Sequence, residues 1–519
     1  MKTPECIDLD VKQLDALLKR VKELLPPEDY ELIKAMADTI YLLSQCVDNK
    51  AASIRRLLRM LFGATTEKTG KTKAHPKKNN SVKAKKGHGR KLAKDYTGAK
   101  KVRVFHDTLK PGDNCPECLK GKVYELKEPQ RIIRITGNAP LSGTVYEMQR
   151  LRCNLCGAIF TASTPENVGE DKYDAKAKAM IALLKYGTGM PFNRLKDLQQ
   201  SLGIPLPAST QFEIVDQMAM ELTPIYQEFI RQGAQGDIIH NDDTTMKVLS
   251  LMKENKENNP ERKGIFTTGI LSKTDDHKIA LFFTGRQHAG ENLMDLLKRR
   301  IGLSPPIQMC DALSRNVPKE FETLLANCLT HGRRQFVDVL QSFPEECSYV
   351  LEILAEVYKN DKITKEQNME AEERLRFHQD NSGPLMKKLN TWFHKQIDQH
   401  LVEPNSGLGK AIGYMLKHWE ALTLFLREPG VPLDNNICEQ ALKKVVLHRK
   451  NALFYKTEHG AMVGDLFMSL IHTCNLSGTN PFDYLTALLE HASELSESPD
   501  KWMPWNYKSA LIEPDNPEA

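Results

Sequence analysis

The stretch from Gly236 to Asp311 constrains this chain most. "GDIIHNDDTTMKVLSLM", "KGIFTTGILSK" and "HKIALFFTG" are three successive strand candidates. The helical pattern "ENLMDLLKRR" follows, then a fourth strand candidate, "PIQMCDA". Three strands, a helix and another strand indicate a mixed α/β sheet. The first and fourth strands both break into acid at their ends, at Asp242 and Asp311. A carboxylate at the end of a buried strand is costly unless it is paired or binds a cation.

The rest of the chain supplies other parts. At 519 residues there is room for about three or four domains. Residues 9 to 25 read as a short amphipathic helix that stops at Pro26-Pro27. Next, Ile33, Met36, Ile40, Leu43, Val47, Ile54, Leu57 and Leu61 alternate spacings of three and four, with Lys50 in the missing slot. This heptad seam predicts a coiled coil and self-association, against the plainer reading of a helix packed on its own domain. From Lys68 to Arg103 there are fourteen lysines or arginines and one acid, Asp95, hence a charge of +13. The whole chain carries only +5, so the remainder sums to −8. A basic strip on an otherwise acidic protein points to a polyanion partner; a solubilising linker is the alternative. "KVYEL", "RIIRITG" and "YEMQRLRC" alternate as short antiparallel strands do. "MPFNRLKDLQQSLGIPLPASTQFEIVDQMA" reads as helix, Gly-Pro turn and helix, resembling a helix-turn-helix whose second helix begins near Ser209. Residues 318 to 428 return to mostly helical patterns.

Eleven cysteines, an odd number, suit a reducing compartment better than a disulfide framework. Cys115-Pro-Glu-Cys118 and Cys153-Asn-Leu-Cys156 are two C-x2-C pairs, 34 residues apart. Four thiolates can surround Zn²⁺ tetrahedrally, as in a zinc ribbon. The alternative is a redox pair. No run nears the ~20 apolar residues of a membrane span, and "MKTPECIDLD" is too acidic for a signal peptide. The expected compartment is therefore intracellular.

If the first and fourth strands lie side by side, Asp242 and Asp311 meet. Glu439, in "LDNNICEQALKKVVLHRK", could add a third acid from a helix packed across them. Three gathered acids repel, and Mg²⁺ or Mn²⁺ would relieve the repulsion. Two such ions about 4 Å apart can align attacking and leaving oxygens on a phosphate. Asp243 competes with Asp242 for this role, since spacing cannot separate them.

With "HNDDTT", "CLTHGRRQF" and "DNNICEQALKKVVLHRKNALF" in hand, the chain resembles transposases of the IS66 family, bacterial DDE enzymes with a ribonuclease-H-like core. Further segments resemble the family in order along the chain. They are "LRMLFGATTEK", the basic "KKGHGRK" with Lys86, His88, Arg90 and Lys91, the paired cysteines, "GTNPFDYL" and "WMPWNY". The resemblance places the family triad on Asp242, Asp311 and Glu439. It implies a multidomain α+β chain. Residues 1–63 are the helical coiled-coil region, 64–104 a basic linker, 105–165 the zinc module and 170–232 the helix-turn-helix-like unit. Residues 233–317 and 430–480 form the catalytic core, 318–429 a helical insertion and 481–519 the C-terminal tail. Cys328 and His331 form a C-x2-H arrangement expected to pack or position groups near the site. Three positions depart from the usual pattern: Asp243 where Glu is usual, Ala312-Leu313 where Gly-Tyr is usual, and Gln440 where Arg is usual. None removes a triad acid.

The implied activity is binding of terminal inverted repeats, metal-dependent DNA cleavage and strand transfer. Lys443, Arg449 and Lys450, with Arg333 and Arg334, are the expected phosphate contacts; a solvated basic face is the alternative. Double-stranded DNA, a homodimer or higher oligomer, and small accessory proteins of the same element are the expected partners. A cytoplasmic, nucleoid-associated location follows. Two other functions fit parts of the pattern: a zinc-containing DNA-binding regulator on a decayed core, and a ribonuclease-H-like nuclease without end joining.

Overall fold

The computed structural model describes residues 171–512, apart from 259–263, 275–276 and 303. It also describes short stretches ahead of them: 19–22, 26, 29–30, 33–34, 110–114, 121–123, 140–147, 149–152, 159–161, 163 and 165. The heptad seam beyond Ile33 lies outside the described residues, as do Lys86, His88, Arg90, Lys91, Cys115, Cys118, Cys153 and Cys156. The chain divides into two compact units, residues 1–134 and 135–519. In the first unit the described residues include a bridge between Asn114 and Lys122.

The second unit opens with a small antiparallel pair, β1 (Arg150–Arg152) and β2 (Ile159–Thr161). Helices α1 (Ala175–Ala182), α2 (Phe192–Ser201) and α3 (Ala208–Gly233) follow. The turn between α2 and α3 passes through Gly203 at φ +75°, a backbone state that favours glycine. Gln211, fully buried, donates to the Phe192 and Leu206 carbonyls and ties the two helices together. The helix–turn–helix outline is therefore present, but α3 does not stand free. Eleven of its 26 residues are buried, and Tyr226 donates to the Phe282 carbonyl 3.0 Å away. Its exposed positions include Glu213, Gln217 and Gln227, and Arg231 is paired with Glu228. That surface is not the basic face that a groove-reading helix presents.

The sheet has five strands: β3 (Ile238–Thr245), β4 (Phe266–Lys273), β5 (Lys278–Gly285), β6 (Ile307–Cys310) and β7 (Leu324–Asn327). Their spatial order is β5-β4-β3-β6-β7. The first three form an antiparallel meander, whereas β6 pairs parallel to β3 and β7 parallel to β6. Helix α4 (Leu249–Asn258) follows β3, and α5 (Ala289–Leu297) carries the chain across from β5 to β6. The architecture is thus a mixed α/β sheet among many helices, as the strand pattern indicated. One strand was missed. Four residues, Leu324 to Asn327, join the sheet from a stretch that reads as helical; they are too few to show an alternation.

Helices α6 (Leu329–Val339), α7 (Pro344–Glu366), α8 (Ala371–Asn381), α9 (Gly383–Asp398), α10 (Gly407–Lys417) and α11 (Trp419–Leu422) come next. They share a core of their own, with Phe336, Leu354, Phe393 and Ile412 fully buried. Met309 of β6 and Ala326 of β7 also belong to it, so this helical layer packs directly on one side of the sheet. Helices α12 (Asn436–Ala452), α13 (Glu458–Leu476) and α14 (Pro481–Glu490) complete the fold, with β4, β5 and α3 in the larger core. The C-terminal segment belongs to that core through Trp502, Met503 and Tyr507.

β5 lies at the edge of the sheet, where unpaired backbone N–H groups are a liability. Three side chains of α13 meet them. The Ala280, Phe282 and Thr284 N–H groups donate to Thr473 Oγ1, Ser469 Oγ and Asp465 Oδ2 at 3.0, 3.0 and 2.6 Å. The spacing of four in α13 matches the spacing of two in β5. Burial pushes the Asp465 carboxyl up to about 7, although the Thr284 hydrogen bonds pull the other way.

Candidate active site

The strand register brings the first two acids together. Ile238 pairs with Ile307, Ile239 with Gln308 and His240 with Met309. Two residues further on, each strand reaches its acid, so Asp242 and Asp311 sit level on neighbouring strands. A buried amide network locks this pairing. Gln308 Nε2 donates to Asn241 Oδ1 (2.9 Å) and to the Asn316 carbonyl (2.7 Å), and Asn241 Nδ2 donates to the same carbonyl (2.8 Å). All three residues are fully buried.

The third acid arrives on α12, and two contacts bring that helix close. Gly269 of β4 lies opposite Asp242. A Cβ at Gly269 would lie 3.1 Å from Leu442 Cδ2 and Cγ, so the missing side chain makes room for α12. Cys438 then donates its thiol to the Gly269 carbonyl at 3.3 Å. At the helix start, Asn435 is fully buried. Asn and Asp at such a position suggest an N-cap, and Asn435 does precede the helix, but its side chain caps nothing. It reaches the sheet instead: Nδ2 donates to the Asn241 carbonyl at 3.1 Å, and Oδ1 lies 3.0 Å from His240 Nδ1. Its own N–H donates to Cys328 Sγ at 3.3 Å. Asn435 therefore pins α12 to β3 and to the start of α6.

The electrostatics show the crowding. Burial pushes the Asp242 carboxyl up to about 7, and the charge of Asp311 adds to this, with smaller contributions from Asp243 and Glu439; the Asp243 N–H, 2.8 Å from Asp242 Oδ1, opposes it. Burial also raises Asp311, against the pull of His331 and Arg315 and a hydrogen bond from Asn316. Glu439 Oε1 is buried without a hydrogen-bond partner and faces His331 Nε2 at 3.8 Å. An orphaned carboxylate oxygen beside two acids that resist ionisation fits a site that takes a divalent cation.

The structure separates Asp242 from its neighbour. The Asp243 side chain is 1% exposed and bound by Arg315 Nη2 and His288 Nδ1, each at 3.1 Å. Asp243 is thus engaged by two side chains, while Asp242 feels the charges of Asp311 and Glu439; the Asp243 charge also raises Asp311.

His331 and Cys328 also reach this cluster. Cys328 Sγ, a His331 ring nitrogen and a Glu439 carboxylate oxygen all lie within 4.8 Å of one another. Sulfur, nitrogen and oxygen donors together suit Zn²⁺. The tertiary structure brings Glu439 to this pair. Tyr414 of α10 comes close as well. Burial and the Asp311 charge raise its hydroxyl to about 12, and the Ala312 backbone hydrogen-bonds it.

The expected phosphate contacts divide. Lys443 and Lys450 are exposed on α12 and carry no ion pair among the described residues, and Arg333 and Arg334 are exposed on α6. Arg449 is already engaged: its Nη1 donates to Thr244 Oγ1 (3.2 Å), Thr245 Oγ1 (2.8 Å) and the Thr245 carbonyl. It ties the end of α12 to the end of β3. Gln440 is exposed. Sequence reasoning read Asn435 only as part of the helix entry, and did not single out His240, Arg315, Asn316 or Tyr414. Only Arg315 and Asn316, in the turn just past Asp311, carried a signal, through proximity.

A family model described as "Transposase IS66 family" matches residues 172–463, from α1 into α13. A protein of Sinorhizobium fredii described as uncharacterized protein y4jD is 27% identical over 389 residues, 70% of this chain and 72% of that protein. A second from the same organism, uncharacterized protein y4hP, is 25% identical over 431 residues, 78% of this chain and 75% of that protein.

Proposed function

Because the chain belongs to the IS66 family of transposases, we propose that it is a DDE enzyme that cuts and joins DNA with Asp242, Asp311 and Glu439. The observation that carries this reading is the meeting of these three acids, drawn from strands β3 and β6 and helix α12. The strand order, an antiparallel meander extended by two parallel strands, supports a ribonuclease-H-like core.

In this reading the three carboxylates hold Mg²⁺ or Mn²⁺. Such ions, when bound, supply Lewis acidity to a water or 3′-OH and offset charge on the phosphate. Asp242 must be ionised to serve, and its upward shift ties that ionisation to cation binding. Asn316 orients Asp311, while Arg315 and His288 hold Asp243 aside. Asn435 and Gly269 set the distance of Glu439 from the strands. Lys443 and Lys450 would meet DNA phosphate, as would Arg333 and Arg334. The basic residues Lys86, His88, Arg90 and Lys91 would extend this contact. Cys115, Cys118, Cys153 and Cys156 would hold a structural zinc, on the strength of their spacing. Synapsis of two element ends calls for at least a dimer.

The test is Glu439→Gln, assayed for Mg²⁺-dependent cleavage and joining of element ends. Loss of both reactions with an unchanged circular dichroism spectrum is expected. Joining at the wild-type rate would sink the assignment. If the unmutated chain bound ends but did not nick them, a DNA-binding regulator would be favoured instead.

A further inference from the structure

Away from the acids, the helical layer carries a groove of about 500 Å³. Its walls come from α7 and α9: Tyr349 on one side, and Lys387, Lys388, Thr391, Trp392 and Lys395 on the other. The positions on α9 explain the surface. Lys387, Thr391 and Lys395 recur every four residues, so they form one row along the helix. Met386, Leu389 and Phe393 turn the opposite side into the core, where each is at most 1% exposed. No acid lines the groove. Among the described residues, none of the three lysines has an ion pair or a side-chain hydrogen bond to an acid.

The aromatic pair is only partly covered. Tyr349 and Trp392 have ring centroids 5.1 Å apart and are tilted by 37°, so neither ring is fully covered by the other. Lys388 Nζ lies 5.5 Å from the Tyr349 ring centroid. Trp392 rests edge-on against buried Phe393, which holds its indole in place. A half-buried indole bordered by three ammonium groups, none of them in an ion pair among the described residues, has a specific chemistry. The ring can stack on a flat heterocycle, and the lysines can meet phosphates spaced along a strand. Bases in a duplex are already stacked on one another, so a ring in this groove needs an unpaired base.

We infer that the Tyr349–Trp392 groove is a binding site for single-stranded DNA, with Trp392 stacking on a base and Lys387, Lys388 and Lys395 on the backbone. The inference rests on the proposed cutting of DNA ends, because cleavage near an end leaves unpaired nucleotides for such a site. It adds to that reading a contact surface built by α7 and α9, apart from the two strands and the helix that carry the three acids.

The experiment uses the full chain and two fluorescently labelled probes, a single-stranded oligonucleotide and a duplex of an element end. Affinities are measured across a salt series. For single strands each phosphate contact contributes a slope of about −0.7 in log K against log salt. The variant Lys387→Gln/Lys388→Gln/Lys395→Gln should therefore flatten the single-strand slope by about 2. Trp392→Ala should weaken single-strand binding roughly ten-fold, as the loss of one base stack does, while Trp392→Phe keeps most of it. Duplex binding should change far less in all three. Wild-type slope and affinity in the lysine and Trp392→Ala variants would overturn the groove and leave the transposase reading intact. A wild-type chain that binds neither probe would overturn both.

Discussion

Asn435→Ala tests whether one buried amide sets the position of Glu439. The side chain is fully buried and makes two contacts across the sheet, to the Asn241 carbonyl and to His240 Nδ1. Burial pushes the His240 imidazole down to about 4, so the ring is neutral at pH 7. Asn435 Nδ2 is committed to the carbonyl, so Oδ1 faces the ring and His240 Nδ1 must carry the proton. Alanine would leave that N–H and the Asn241 carbonyl buried without partners. Each such loss costs about 1–3 kcal/mol, so the sum is about 2–6 kcal/mol. At roughly 2 °C per kcal/mol for a chain of this size, the thermal midpoint should fall by about 4–12 °C. Differential scanning fluorimetry reads this directly. DNA cleavage should fall as well, because α12 loses its anchor to β3. Asn435→Asp separates hydrogen bonding from volume: it fills the space but sets a carboxylate oxygen against the Asn241 carbonyl, so at pH 7 it should not recover the loss. A midpoint unchanged in both variants would refute the anchoring role.

Other outcomes follow from the same geometry. Asp242 has its pKa raised to about 7, above its unfolded value, so the folded state holds the proton more tightly. The Asp242 contribution to metal-free stability should therefore be fully present below about pH 4 and be lost as pH rises towards 7, and Asp242→Asn should remove that part of the pH dependence; a matching slope in both proteins would contradict the shift. Adding Mg²⁺ at neutral pH should raise the melting temperature of the wild type and have a smaller effect on Asp242→Asn. Gly269→Ala sets a Cβ 3.1 Å from Leu442 and should cost about 1–3 kcal/mol, part of which Leu442→Ala should return in a double-mutant cycle. Lys443→Gln and Lys450→Gln should each lower the salt slope of duplex binding by about 0.9, measured by fluorescence anisotropy.

Much of this site is local enough to read along the chain. The short apolar runs in "DIIHNDDTT" and "PIQMC" mark two strands, and each breaks into an acid. The 127 residues between Asp311 and Glu439 mark an inserted helical layer. Short-range patterns of this kind survive in sequence because side-chain direction repeats every two residues in a strand and every 3.6 in a helix. Other features carry no such period. The strand at Leu324–Asn327 is too short to show one, and it joins the sheet only because β6 offers a free edge. Asn435 looks like an ordinary helix cap, since the same amide serves either role and only its distant neighbours decide which. Asp242 and Asp243 are chemically alike and adjacent; Arg315 and His288, 72 and 45 residues away, claim the second and leave the first to the acids. Arg449 reads as a free base on a helix until the end of β3 folds beneath it. The sequence by itself determined four of the five strands and the helix that carries Glu439. Only the tertiary structure decided which polar groups are consumed in holding them there, because hydrogen bonds between distant segments depend on distances that no spacing along the chain encodes.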